Sequence, residues 1–205
     1  STLMTGHVNL AGFYKITSGT SAPLVSEWEK AWEVASRHVP EMRYAAPRGR
    51  GWAKAVSETG SMDLVLAGIE VDREPAFRDV VHVVDGSLDE LGKPGTILLF
   101  EDQAKRLGLK AGDALTLSAP TTRGMNNTAD VRVAAVARNI GLLSAFNAFL
   151  QADTLRRLYQ LKATTTGAVQ IYLRDPDASK AVAARLRGVL QQAGYRVMDP
   201  DPQPY

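Results

Sequence analysis

The residues able to do chemistry in this chain are few and scattered. Its three histidines are His7, His38 and His82, and none has a second histidine at the short spacing of a zinc site. Each reads as a surface or strand residue. The chain has no cysteine, which rules out disulfides and thiolate metal sites. Ser57-Glu58 and Ser87-Leu88-Asp89-Glu90 put hydroxyls beside carboxylates, but no Gly-x-Ser-x-Gly turn exposes a nucleophile. The acids are dispersed and mark no carboxylate pair. Pro47-Arg48-Gly49-Arg50-Gly51 offers two guanidinium groups that could meet an anion. It lacks the Gly-Lys-Ser/Thr ending and the following helix of a phosphate loop, and it reads as a solvated turn between strands. The expectation is no catalytic residue, no metal and no cofactor.

The sharpest local signal is structural. In Leu107-Gly108-Leu109-Lys110-Ala111-Gly112-Asp113, a helix ends at Gly108 and a turn at 111–113 launches a strand. Glycine allows the positive φ angles this needs, and the Asp carboxylate can bond turn amides. Such Gly-Asp turns occur in small β-barrels of unrelated function, so the motif specifies an element and no activity.

The elements that position these residues follow from periodicity. Val8, Leu10, Gly12, Tyr14 and Ile16 alternate as a strand. Ser26 and Glu29 form a capping box before a helix carrying Trp28, Ala31, Trp32, Ala35 and Val39 on one face. Strands are predicted over 42–46, 52–57 and 62–69, with turn clusters at 72–75, 85–86 and 92–95. A strand at 96–100 leads to a helix at 101–107. Strands at 115–118 and 130–137 flank a long polar hairpin tip, 119–129. A strand at 149–151 and a helix begun by Asp153 follow. After a strand at 169–173, Asp175-Pro176 starts a helix with Val182, Leu186, Val189, Leu190 and Ala193 as its apolar stripe. Gly194 stops it, before a closing strand at 195–198. The fold class is α+β: one α/β subdomain made from both termini, with a β-rich subdomain inserted at about 70–148.

Composition bounds the partners. The 205 residues are 45% hydrophobic and 22% charged, enough for a sizeable core. With 24 basic and 22 acidic residues the net charge is +2, giving no reason to expect nucleic acid or an anionic membrane surface. The longest uncharged stretch, 139–152, is too short to span a bilayer. The first residues lack the basic and apolar regions of a signal peptide, and the chain reads as a piece cut from between two membrane spans.

With these pieces placed, the chain resembles the MacB-like periplasmic core domain of ABC-transporter permeases of the MacB, LolC, LolE and FtsX type. The resemblance rests on the order and spacing of several degenerate stretches. They are Gly6-His7-Val8-Asn9-Leu10, the run from Val65 to Asp72, the run from Ile97 through Gly108 to Leu117, Val131–Ala137, the run from Phe146 to Ala152, and the closing strand and helix with Asp175-Pro176.

The resemblance implies a Porter-like subdomain of two α/β units, 1–69 and 149–205, and an inserted Sabre-like β-rich subdomain, 70–148. It implies a non-catalytic periplasmic domain of a bacterial inner-membrane protein, tethered to the membrane at both ends. Such a domain relays ATP-driven motion in lipoprotein release or MacB-type export. Its implied partners are a second permease subunit, a cytosolic ABC ATPase that hydrolyses the ATP, and a periplasmic chaperone or adaptor. The position of the LolC-type capture loop falls on the hairpin tip Pro120, Thr121, Thr122, Arg123, Gly124, Met125, Asn126, Asn127 and Thr128. Against this stand two alternatives: a soluble periplasmic binding or adaptor module, and an enzyme built on a Gly-Asp-box barrel.

Overall fold

The computed structural model describes residues 8–11, 14–15, 21–22, 28–121, 124–161 and 168–194. The chain runs through β1 (Val8–Ala11), β2 (Tyr14–Lys15), β3 (Ser21–Ala22), α1 (Trp28–Ser36), β4 (Met42–Val56) and β5 (Ser61–Ile69). Next come α2 (Pro75–Val80), β6 (Val83–Gly86), β7 (Thr96–Phe100), α3 (Glu101–Leu107), β8 (Ala114–Pro120) and β9 (Asn126–Ala137). The last elements are α4 (Leu143–Phe146), β10 (Asn147–Gln151), α5 (Ala152–Leu158), β11 (Ala168–Leu173) and α6 (Ser179–Gln192). Three 3₁₀ turns, Val71–Arg73, Leu88–Gly92 and Pro176–Ala178, join them. The Ser26 cap, the Trp28 side chain and the expected strand 195–198 lie outside the described residues.

One strand organises the rest. The expected turn at 47–51 is the middle of β4, which runs unbroken for 15 residues. Up to Arg48 it pairs with β11, and from Gly49 onward it pairs with β5. Turn-forming residues are used here for a different purpose. Gly49, Gly51 and Gly68 make room for α5, and Gly49 stands opposite Gly68 in the ladder. A Cβ on Gly49 would lie 2.8 Å from Leu155 Cδ2, and one on Gly51 would lie 2.2 Å from the Tyr159 hydroxyl. Glycine in a strand often marks such a close approach.

Around β4 the chain forms two packed bodies. In the first, β1 pairs antiparallel with β11, and β11 with the first half of β4. Residues α1 and α6 contribute cover this sheet with Val8, Ile171 and Leu173 facing Ala35, Val39, Val182, Leu186 and Leu190. In the second, the pairings β4–β5, β5–β10, β10–β7, β7–β9, β9–β8 and β8–β4 return to their start, closing a barrel of six strands. Alternate residues point inward and fill it. Ala53, Ala55, Leu64, Leu66, Ile97, Leu99, Leu115, Leu117, Val131, Val133, Ala148 and Leu150 form one cluster, closed by Leu107 from α3 and by Leu155 and Leu158 from α5. Each such Leu, Ile or Val contributes about 1.5–3 kcal/mol by leaving water.

The outer face of four barrel strands, β5, β7, β9 and β10, carries a second cluster. Ala67, Ile69, Leu98, Phe100 and Phe149 lie under Val71, Phe77, Val81 and Leu91. A bulge in β9 divides its residues between the two clusters. Ile97 pairs with Val133 but Leu98 with Ala135, so Ala134 is extra. Val131, Val133 and Val136 therefore face the interior, and Ala135 and Ala137 face out. The freed Ala134 carbonyl accepts a bond from Ser87 N at 3.1 Å.

The sequence missed α2 and β6, reading turn clusters in their place. The α2 helix is only 6 residues long, and Gly86 at the end of β6 has φ +77° close against Ala134 O. Short elements held by tertiary contacts carry little periodicity. Other local signals match. Gly108 caps α3 in the left-handed conformation at φ +65°, and Gly194 follows α6 at φ +87°. Asp113 Oδ2 accepts from Lys110 N at 2.9 Å, and Asp175 Oδ1 from Asp177 N at 3.0 Å.

Two outcomes follow from this packing. Gly51→Ala should push Tyr159 off the barrel, costing about 1–3 kcal/mol and lowering the melting temperature by several degrees in calorimetry. In the terminal body, Arg185 reaches from α6 to grip Glu41 with two bonds, at 2.8 and 2.9 Å. This guanidinium holds the Glu41 carboxyl at about 2 rather than its ordinary 4.5. A depressed carboxylate stabilises the fold above its unfolded value, and that contribution is lost as pH falls from 4.5 toward 2. Glu41→Gln should therefore flatten the acid limb of a stability-against-pH curve over this window.

Candidate functional site

The hairpin tip is shorter than its composition suggests. The β8–β9 ladder continues to Pro120 opposite Asn126, so residues 119–120 and 126–129 are strand and the turn is 121–125. Burial in β9 alternates from Asn126 to Asp130, with the polar residues of one face in solvent. Thr116 Oγ1 donates to Asp130 Oδ1 at 2.6 Å, across a directly opposed pair. A strand with one wet face and a backbone ladder needs few apolar residues, which is why the sequence hid it. Thr121 N donates to Met125 O at 2.7 Å, and Gly124 N to Thr121 O at 3.0 Å.

The proposed tip residues are therefore not equivalent. Met125 is 58% exposed, whereas the Thr121 side chain is buried and its Oγ1 makes no hydrogen bond with any described residue. Gly124 and Asn126 are exposed. Asn127 reaches down instead, donating Nδ2 to Leu158 O at 2.9 Å and capping the end of α5. Thr122 and Arg123 lie outside the described residues. Beneath the tip is a groove of about 250 Å³, lined by Asn127, Asp130, Thr154, Arg157 and Leu158 among others. Its polar groups are engaged with one another: Thr154 Oγ1 accepts from Gly95 N, and Arg157 pairs with Asp153.

The other residues singled out for chemistry have local duties. Ser57 Oγ and Thr59 Oγ1 both donate to Leu107 O, closing the end of α3. Ser87 Oγ accepts from Asp89 N at a turn start. His38 and His82 are exposed, and each offers its backbone carbonyl, to Arg185 and to Arg138 N respectively. His7 lies outside the described residues. The barrel interior is filled by side chains, so the Gly-Asp turn serves a packed core.

A buried polar cluster lies where β4 changes partners. Arg48 is 1% exposed, as is Glu74, and the Arg48 Nη2 donates to Glu74 Oε2. Arg48 Nε donates to Gln170 Oε1 at 3.2 Å, and Tyr172 Oη donates to the same oxygen at 3.1 Å. Tyr44 stacks on Tyr172 with ring centres 4.4 Å apart. Burial raises the Glu74 carboxyl above its ordinary value, with Arg48 opposing the shift. Burial and the neighbouring Tyr172 and Glu74 push the Tyr44 phenol up to about 12. Alternation was the available clue, since Tyr44, Ala46 and Arg48 share one face of β4.

No protein-family model and no curated protein matches the chain. Solved structures do. The extracellular domain of the noncanonic ABC-type transporter YknZ from Gram-positive bacteria aligns over 92% of this chain and 96% of its own, with TM-score 0.58 and 15% identity. The chain has an ABC-permease extracytoplasmic-domain fold. The periplasmic region of MacB from Actinobacillus actinomycetemcomitans aligns over 78% of this chain and 72% of its own, with TM-score 0.55 and 15% identity. A permease-protein domain from Porphyromonas gingivalis covers 93% and 81%, with TM-score 0.51 and 15% identity.

Removing the α5 cap tests how the tip is supported. Asn127→Ala should cost about 0.5–1.5 kcal/mol. It should also speed amide exchange in the last turn of α5, measured by exchange mass spectrometry.

Proposed function

We propose that this chain is the periplasmic domain of an ABC-transporter permease, a body that relays motion from the membrane and engages a partner. The carrying observation is the likeness to the YknZ extracellular domain across nearly the full length of both chains. In this reading a separate cytosolic ATPase drives a pair of permease subunits, and the domain does no chemistry of its own. The transport task is lipoprotein release or MacB-type export.

The two packed bodies suit that task. We assign the Porter-like role to the β1–β11–β4 sheet with α1 and α6, and the Sabre-like role to the barrel. The apolar clusters divide near 48 and 161, because β5 and β10 pair inside the barrel. The expected division at 70 and 148 keeps most of that ladder together and would instead part β10 from β7 and β4 from β8. A packed body transmits force only if it does not deform, and both cores are filled.

The partner element is the tip at 120–127, with Met125 as its anchor. An exposed methionine can enter an apolar groove and adapt to its shape. Arg123 adds charge beside it. A photo-crosslinker at position 125 in the full-length transporter should capture a periplasmic protein or the transported substrate. Met125→Ala with Arg123→Ala should weaken that capture by about tenfold or more and leave the melting temperature unchanged. Undiminished capture removes the tip from the function. A reading frame with no membrane span on either side of this chain overturns the permease assignment itself.

A further inference from the structure

We infer that the buried Arg48–Glu74 pair is a latch that holds the terminal body and the barrel at one fixed angle. The inference stands whether or not the transport reading holds.

Position is the first argument. Arg48 is the last β4 residue paired with β11, and Gly49 is the first paired with β5. The side chain at this changeover therefore sits at the joint. Its side-chain partners come from both sides. Gln170 belongs to β11 in the terminal body. Glu74 lies between the 3₁₀ turn Val71–Arg73 and α2, a segment whose Val71 and Phe77 pack on the barrel. Pro75 after it restricts its backbone, and its second oxygen accepts from Glu70 N at 3.4 Å.

The apolar packing leaves the angle to be set by something else. Among the described residues, one cluster uses only positions from 8 to 45 and from 171 to 190, and the other two use only positions from 53 to 159. The described clusters stop short of the joint on both sides. Beside the buried Ala46 and Val169, the groups that meet across the joint are polar: Arg48, Glu74, Gln170 and the stacked Tyr44 and Tyr172.

Chemistry is the third argument. A buried ion pair is a poor source of stability, since desolvation offsets the attraction. This one is also incompletely satisfied. Arg48 Nη1 and Tyr44 Oη make no hydrogen bond with a described residue. An apolar filling would serve stability as well. What the pair supplies is selectivity, because the two charges are compensated only at the angle that brings them together. Any other angle must either hydrate both groups or strand a charge, so the paired angle is favoured over the rest.

The chain has no cysteine, so spin labels can be placed at will. Lys105→Cys on α3 and Lys180→Cys on α6 are exposed positions, one on each body. Pulsed dipolar spectroscopy on the labelled parent should give one narrow distance distribution. Arg48→Met with Glu74→Leu keeps the joint filled without charge. It should keep the secondary structure while the distribution broadens or splits. A distribution superimposable on the parent's overturns the latch. Glu74→Gln preserves shape and leaves Arg48 unpaired, and it keeps the test open should the double variant not fold. It should lower the melting temperature by roughly 10 °C. Measured below that transition, it should also broaden the distribution, and a parent-like width overturns the inference equally.

Discussion

One strand has to serve two cores, and the architecture follows from how it does so. A β-strand offers two faces and two edges, and side chains alternate strictly between the faces. Strand β4 gives Ala46 and Arg48 to one face of the terminal sheet, then Ala53 and Ala55 to the barrel interior, without interrupting its backbone. The glycines after the joint admit α5 at close range, so Leu155 lies directly on the β4–β5 ladder. Because the backbone is continuous, the bodies cannot separate. Because their apolar clusters do not merge, they depend on polar contacts to fix their relative setting.

Local chemistry was legible, and placement was not. The turn at Gly112-Asp113, the helix stop at Gly108 and the start at Asp175-Pro176 all stand where the residues put them, because each depends on neighbours within four positions. The reading failed where a distant element decides the outcome. Gly49-Arg50-Gly51 looks like a turn until α5 is laid across it. Residues 126–129 look like a loop until β8 supplies their ladder. Arg48 looks like a surface cation, since nothing near it announces that Glu74 will arrive across 26 positions. The same gap separates tip from tip. Met125 is exposed as its polar surroundings imply, but Thr121 and Asn127 turn inward to support the hairpin.

The polar side chains that could do chemistry have structural partners instead. Serines flanked by acids close helix ends, His38 and His82 offer backbone carbonyls, and the barrel that could have enclosed a ligand is packed with Leu, Ile, Val and Ala. The same side chains that would have been candidates for chemistry are spent on rigidity. The fold is shared with the YknZ and MacB domains.

The extra residue at Ala134 carries a last consequence. Before it, odd-numbered positions of β9 look into the barrel; after it, Val136 does, and Ala135 and Ala137 turn to the outer cluster. Removing that one residue would restore strict alternation and leave Val133 and Val136 inward and Ala135 and Ala137 outward. A relative that keeps the barrel can therefore lose this position at the cost of the carbonyl that receives Ser87 N, and a gap in this strand is expected at the bulge first.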